Sequence, residues 1–495
     1  MKRARCARTS WTFCRKTCSP SRSDDMRRQA RCWIAVSVVF PTILSGLVCG
    51  ILLACIAGVI HDESFRRRMH PSSVQLFSSM LSVGGLLGSY CLANSVSSYF
   101  GRRFCLTLGA SIVLVTSVSI VAFDVGMFVL ASRLGAGIGL GLLAQTTPVF
   151  AAETAPANFR AGTMASFELA LSVGIWATYR LTRDEFIGID HVADPDPDGR
   201  LWKTLILFPG APAFFLVLAT VTYVPNSPRF LVLKGRVAEA RKVLLGFEVA
   251  PENEDKISSP GIGERVEVLL CAIQKDATDR KTDESSIPIR SPKAAMPRAV
   301  AVAVVLMALQ VLVGIDIVTV FGLWSMRRLG LGERESLNFL VATGTAHVVA
   351  GIVAVPLIDV VGRKSILLFG SASMTVCFGL LTFSNEYVAG ILLVVYSLCF
   401  SLTWGPCAVI VATEILPLKV RSRGIALAVA ANFLSGAFVT GTFLSFADFF
   451  GLRWTFGLYA SICALSFGFV EHFVPSTTAD ELERCVVVDE DDRRR

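Results

Sequence analysis

Apolar residues along the chain gather into twelve runs, each near the roughly 20 residues that an α-helix needs to cross a bilayer. Six fall near 33–53, 74–93, 104–123, 127–148, 163–181 and 204–224, and six near 299–325, 337–358, 365–383, 388–413, 424–447 and 451–474. Two long hydrophilic stretches interrupt the series, about 182–203 and about 225–298. Early in the second, Val237, Ala240, Val243 and Leu244 recur among charges at helical spacing, which predicts a surface helix within 235–247. From 251 to 297 the composition turns polar, with Pro and Ser, and favours a linker.

A charged signature occurs twice at one lag. Gly101-Arg102-Arg103 is followed by Glu153-Thr154-Ala155-Pro156 and Arg160; Gly362-Arg363-Lys364 is followed by Glu414-Ile415-Leu416-Pro417 and Arg421. Gly362, Glu414, Pro417 and Arg421 each follow their counterparts by 261 positions. Four matches at a single lag indicate a duplicated unit. Duplicated helical halves in a membrane protein point to a transporter with its site between them. The expected organisation is a basic tail at 1–31, a six-helix bundle at 32–224, a linker with short helices at 225–298, a second bundle at 299–474 and a tail at 475–495.

Composition agrees. Of 495 residues, 53% are hydrophobic and only 17% charged, against about 25% charged in soluble domains. The net charge of +8 matters less than its placement: residues 1–31 hold ten Lys/Arg against Asp24 and Asp25. With twelve spans, this tail, the 225–298 stretch and both Gly-Arg loops share one side, which the positive-inside rule makes cytoplasmic, with both termini there. Arg66, Arg67 and Arg68 fall outside, against the rule. Orientation and anionic lipid account for the basic surplus, so no nucleic-acid partner is invoked. The N-terminus has no apolar core of a signal peptide before Cys32. A plasma-membrane location is expected, with an organellar membrane as the alternative. The fourteen cysteines lie in tails, spans and the central loop, so neither a disulfide framework nor a zinc site is expected. Asp194, Asp196, Asp198 and Gly199 look like the start of a calcium loop, but Leu205 stands where the closing acid belongs. No metal or cofactor is expected.

These residues together resemble the sugar porter branch of the major facilitator superfamily, across nearly the whole chain. The resemblance is carried by Tyr99-Phe100-Gly101-Arg102-Arg103, by Asp359-Val360-Val361-Gly362-Arg363-Lys364, and by Arg133 with Gly135, Gly137, Gly139 and Gly141. Pro148 through Glu153 to Arg160 looks like the family's PxYxxE…R motif, and Pro225-Asn226-Ser227-Pro228-Arg229 like its PESPR stretch. The resemblance implies an all-α fold of twelve transmembrane helices in two pseudo-symmetric six-helix bundles. It also implies gating ion pairs, for which the candidates are Arg102, Arg103, Arg133, Glu153 and Arg160 in one half and Asp359, Arg363, Glu414 and Arg421 in the other. Such pairs are expected to close the cytoplasmic side by joining the two bundles. Each exposed pair contributes only about 0–1 kcal/mol, but several together can bias a two-state equilibrium.

Polar side chains inside spans are candidate functional groups, because burying them in hydrocarbon is costly. At about 1.5 Å rise per residue, Glu168 lies roughly 12 Å beyond Arg160, Asn432 roughly 16 Å beyond Arg421, and Gln310 and His347 roughly 18 Å deep. Four spans thus place hydrogen-bonding groups near one level, as a polyhydroxylated solute requires. Gln310 through Asp316 looks like the family's QQxSGxN stretch, Asn432 matches its eleventh-helix amide, and Phe400 occupies an aromatic position before Gly405-Pro406. The departures are Asp316 and Glu168 where amides are usual, His347 for an Asn, Val409 for a Trp, and Leu52 nearest to where many proton-coupled members carry an acid. The expected substrate-binding set is Gln310, Asn432, Asp316, Glu168, Phe400 and His347. Alternating-access transport of a hexose or polyol follows, facilitative rather than proton-driven. The alternatives are a carrier of an organic cation, coupled to protons through Glu168 or Asp316, and a non-transporting nutrient sensor. No nucleophile–base set or phosphate-binding loop suggests an enzyme.

Overall fold

The computed structural model describes residues 35–68, 71–122, 126–155, 157–189, 200–247, 267, 270–271, 295–416 and 421–475. The first half comprises α1 (Val36–Val59), α2 (Ser73–Tyr99), α3 (Arg102–Ala122), α4 (Gly126–Thr154), α5 (Ala157–Ile189) and α6 (Leu201–Thr222). The second comprises α7 (Arg298–Leu329), α8 (Glu333–Val361), α9 (Arg363–Leu381), α10 (Glu386–Ile415), α11 (Arg421–Phe449) and α12 (Leu452–Phe473). Eleven of these twelve hold a segment long and apolar enough to cross a membrane. The other, α5, is 33 residues long but dilutes its apolar stretch with Glu168 and a charged end. Helix α5 also runs well beyond the apolar run 163–181, so the hydrophilic loop expected from 182 begins only after Ile189. Its charged turn is supported by the Arg180–Asp184 pair at 3.3 Å, a spacing that favours helix without apolarity.

The two halves pack alike. Helix α1 lies on α5, α2 on α4, and α3 on α4 and α6; in the second half α7 lies on α11, α8 on α10, and α9 on α10 and α12. The halves meet where α5 packs on α8 and where α2 packs on α11, two contacts that the same pseudo-symmetry interchanges. Side chains such as Val115, Phe214, Val376 and Leu465 stay more than half exposed on the outer surface, as lipid-facing residues would. The chain is an integral membrane protein of the expected architecture. Both Gly-Arg corners turn through glycines of almost equal conformation, φ +92° at Gly101 and +90° at Gly362, a region that other residues enter only with strain.

The halves differ in their helices. In the second, α7 breaks at Gly314 (φ +102°) and α10 at Thr403, between segments ending at Leu402 and starting at Trp404. In the first, α4 runs unbroken for 29 residues, through Pro148. Breaks inside a membrane are tolerated when the freed carbonyls find donors. At the α7 break the Val313 carbonyl accepts from the Tyr396 hydroxyl at 2.9 Å and from Cys463 Sγ at 3.4 Å.

Cross-half bonds gather at the end remote from the Gly-Arg corners, here called the far end. Arg183 Nε donates to Asn338 Oδ1 at 2.8 Å and the Tyr179 hydroxyl to the Thr319 carbonyl at 2.8 Å. Gln75 Nε2 donates to the Gly441 carbonyl, and Arg327 Nη1 meets His61 Nε2. At the corner end, the short helices Pro228–Leu233 and Val237–Phe247 pack together, the second where helical spacing placed it. Within the stretch read as linker, Leu270 packs with Leu231, Val232 and Ala240, and Glu267 pairs with Arg241 at 2.8 Å. The tails and Asp194, Asp196 and Asp198 lie outside the described residues.

Candidate functional site

The α10 break organises the centre. Trp404, fully buried, opens its second segment and donates Nε1 to the Leu367 carbonyl at 3.1 Å and to Ser371 Oγ at 3.0 Å. With that ring anchored on α9, two carbonyls of the first turn face α7. Gln310 Nε2 donates to the Gly405 carbonyl at 2.8 Å and to the Trp404 carbonyl at 3.2 Å. Asn432 Nδ2 in turn donates to Gln310 Oε1 at 3.0 Å and to the Met307 carbonyl at 3.1 Å. The two amides therefore form a directional relay from α11 through α7 to α10, and Asn432 fixes which way Gln310 points.

Segment 400–405 gathers two more of the predicted residues. Phe400 sits beside Gly405, where a Cβ added to the glycine would lie 3.6 Å from the ring. Ser401 Oγ bonds His347 Nδ1. His347 is 4% exposed and its Nε2 has no partner among the described residues. Neither Ser401 nor the Gly405 carbonyl was legible as a site group, because a backbone acceptor has no side-chain signature and serines abound in these helices.

The two acids lie apart from this relay. Asp316 is in the first turn of the second α7 segment, immediately past the Gly314 break. Its Oδ2 approaches Gly436 of α11, and Ser82 of α2 approaches the same glycine from the other half. Glu168 is half-buried on α5, between Leu169 and Ser172 on one side, which face Gly351 of α8, and Phe167 on the other, which packs on Gly46 of α1.

Two corner pairs lie within their own halves. Arg102 Nη2 meets Glu153 Oε1 at 3.1 Å, and Arg363 Nη2 meets Glu414 Oε1 at 3.6 Å. Glu153 Oε2 also accepts from Ser227 Oγ at 2.6 Å, which gives the 225–229 motif a structural partner that sequence alone did not show. The reason is geometric: each Gly-Arg corner abuts the end of the fourth helix of its own bundle. The ion-pair role expected for Arg103 and Arg133 is also corrected. Arg103 caps α6, donating to the Thr220 and Val221 carbonyls at 2.7 and 2.6 Å. Arg133 is 2% exposed near the far end, donating to the Leu52 carbonyl at 2.9 Å and to Cys55 Sγ at 3.3 Å, with Phe77 beneath it at 5.3 Å. Such a cation in low dielectric gains from both carbonyl and ring. The side chains of Arg160, Asp359 and Arg421 lie outside the described residues.

At the far end His61 joins the ends of α1 and α7. It touches Arg327 and packs with its ring tilted against Phe186 at 5.3 Å, with Glu333 Oε1 3.8 Å away. Burial first, then the Arg327 and Arg66 cations, push its pKa down to about 4, outweighing Glu333. The imidazole is neutral at pH 7, so Nε2 can accept from the guanidinium. Among the described residues no group of three His, Cys, Asp or Glu could hold a metal ion.

A duplicated bundle with a polar relay at its centre has close counterparts. The profile of one family, described as sugar (and other) transporter, matches residues 38–488. The chain belongs to that family. The transporter is similar to the arabinose-proton symporter of Bacillus subtilis, 28% identical over 457 residues that cover 89% of this chain and 92% of the symporter. A glucose transport protein of Synechocystis is 26% identical over 475 residues, 90% of this chain and 97% of its own. Among solved structures, the proton:xylose symporter XylE, of the major facilitator superfamily, superposes with a TM-score of 0.72 at 22% identity, over 91% of this chain and 98% of XylE. This likeness carries the fold. The family is one of transporters, which places the chain outside enzymes.

Proposed function

We propose that the protein carries a hexose or related polyol across a membrane by alternating access, without obligatory coupling to protons. The observation that carries this reading is the Asn432–Gln310–Gly405 relay, which holds one amide in a fixed orientation at the centre of the bundle. A neutral polyol needs directional donors and acceptors rather than charge, and a bound amide pair can exchange its mutual bond for bonds to hydroxyls. Phe400 supplies an apolar wall for the carbon face of a ring. His347 through Nε2, Asp316 and Glu168 complete the set.

In this reading the cross-half bonds at the far end hold the outside closed, and the corner end, on the positive-inside rule, faces the cytoplasm. The halves 32–224 and 299–474 rock about the α5–α8 and α2–α11 seams. Arg102–Glu153 and Arg363–Glu414 stiffen each half's own corner. Uncoupled transport is supported by Arg133, whose contacts on α1 are a carbonyl and a thiol at the level where many proton-coupled relatives carry an acid.

The test is uptake of labelled glucose by the purified protein in proteoliposomes, with and without an imposed pH gradient. Saturable counterflow insensitive to the gradient is expected, and accumulation driven by the gradient would overturn uncoupled transport. Gln310→Ala, which leaves two buried carbonyls without their donor, should lower uptake tenfold or more while the protein still elutes as a single species. Undiminished uptake would remove Gln310 from the site.

A further inference from the structure

One pair of polar groups can do more than hydrogen-bond a neutral sugar. Gly436 lies four residues beyond Asn432 on α11, one helical turn along the same face, about 6 Å away. A Cβ built on Gly436 would lie 3.1 Å from Asp316 Oδ2 and 3.1 Å from Ser82 Oγ. The missing side chain lets a carboxylate from α7 and a hydroxyl from α2 close on the same point of α11, one from each half, in a notch too tight for a methyl group. Ser82 is 8% exposed, and its hydroxyl has no hydrogen-bond partner among the described residues. Asp316 likewise has neither an ion pair nor a hydrogen bond to its carboxylate among them. The ionisable groups that sense it are phenols, Tyr396 and Tyr459, and Tyr396 spends its proton on the Val313 carbonyl.

Resting on the reading of the cleft as a sugar site, we propose that the transporter takes an amino-substituted hexose, with the ring on the Gln310–Asn432 relay and the ammonium bridging the carboxylate of Asp316 and the hydroxyl of Ser82 beside Gly436. An ammonium offers three donors and no acceptor, which suits a carboxylate oxygen and a hydroxyl facing one gap. A half-buried carboxylate without a partner gains more from a ligand cation than from a neutral hydroxyl. The notch is one helical turn from the amide pair, a separation comparable to the breadth of a six-membered sugar ring. Because Asp316 and Ser82 come from different halves, an ammonium between them draws α2 and α7 together and couples binding to closure.

The experiment is competition against labelled glucose uptake in proteoliposomes of the full chain at pH 6.5. The competitors are glucose, 2-amino-2-deoxyglucose and its N-acetyl derivative, with direct uptake of labelled aminodeoxyglucose measured beside them. The amino sugar should compete at least tenfold better than glucose, and N-acetylation, which removes the charge, should abolish the preference. Asp316→Asn should bring the ratio of amino sugar to glucose near one, and Ser82→Ala should reduce it several-fold. Should Asp316→Asn fail to fold, Gly436→Ala, whose methyl would stand 3.1 Å from both groups and push them apart, should give the same loss of ratio. Glucose uptake without amino preference, or a ratio unchanged in Asp316→Asn, overturns this proposal and leaves sugar transport standing. Uptake of the amino sugar without glucose keeps it and overturns the neutral-hexose reading; uptake of neither removes both.

Discussion

The two halves of the transporter began from one pattern and now do different work. Their corners remain alike, with Gly101 and Gly362 in almost the same left-handed conformation and a Gly-Arg arginine on a fourth-helix glutamate in each. Their centres do not. Moved back by the 261-residue lag, Gln310 falls on Cys49, Asp316 on Cys55, His347 on Leu86, Phe400 on Gly139 and Asn432 on Leu171. The helix breaks at Gly314 and Thr403 fall on Leu53 and Leu142 of unbroken helices. Only Glu168 reverses the trend, its counterpart being Val429. The polar groups of the predicted site therefore collect mostly in the second half, at whose centre two helices break. The first half keeps small and apolar residues at the matching positions, with its irregularities in α2, π-helical over Leu87–Ala93, and in α6, interrupted between Leu207 and Gly210. The difference assigns gripping to one half and bracing to the other.

The largest test of that contrast is Gly314→Ala. A side chain at φ +102° is strained, and its Cβ would meet the Phe378 ring at 3.0 Å, so a cost of about 1–3 kcal/mol is expected. Thermal unfolding of the detergent-purified protein should show a lower midpoint, and uptake should fall about tenfold because Asp316 and the Val313 carbonyl sit on either side of the break. An unchanged midpoint and uptake would mean that α7 tolerates a straight course, and the contrast between the halves would lose its basis.

How much of this the sequence carried depends on the scale of the signal. Twelve apolar runs and a four-point repeat report long-range regularity, so the fold class and the pseudo-symmetry were legible. The depth estimate for Gln310 and Asn432 also succeeded, because helical rise is nearly constant, and the two are bonded in the structure. What failed was pairing. Arg103 and Arg133 were read as ion-pair partners from the motifs they stand in, yet a guanidinium is equally well satisfied by carbonyls, which the sequence does not display. Pairing across the halves was inferred from the duplication, whereas a corner meets its own bundle first. The Gly436 notch was invisible for a third reason: it is made by an atom that is missing.

The far end tests whether bracing is tied to a proton. His61 is half-buried with its pKa pushed down to about 4 in the closed arrangement, and would recover the ordinary value of about 6.5 once the halves part there. Above pH 6.5 the imidazole is neutral in both arrangements, so closure is insensitive to pH. Between about 6.5 and 4 the open form binds more protons, and closure weakens by about 1.4 kcal/mol per pH unit. Spin labels on the far ends of α5 and α8 should show the widened population growing about fivefold from pH 6.5 to 5.5, and His61→Gln should flatten that response. A titration that survives His61→Gln would place the proton elsewhere and leave the far end a passive contact.

The smallest expected effect concerns the corners, where the halves should differ in degree only. The Arg102–Glu153 pair is closer than Arg363–Glu414, 3.1 against 3.6 Å, and its carboxylate is less exposed, 11% against 23%. Partly buried, better-aligned pairs couple more strongly than wet ones, so double-mutant cycles on stability should give about 1 kcal/mol for the first corner and a few tenths for the second. Ser227 sharpens the distinction, since its bond to Glu153 Oε2 holds that carboxylate in place before the arginine arrives, and Ser227→Ala should lower the first coupling toward the second. Equal couplings, untouched by Ser227→Ala, would mean that the corners have stayed energetic copies and that divergence stops at the membrane centre. A stronger coupling at Arg363–Glu414 would reverse the assignment and make the second half the braced one.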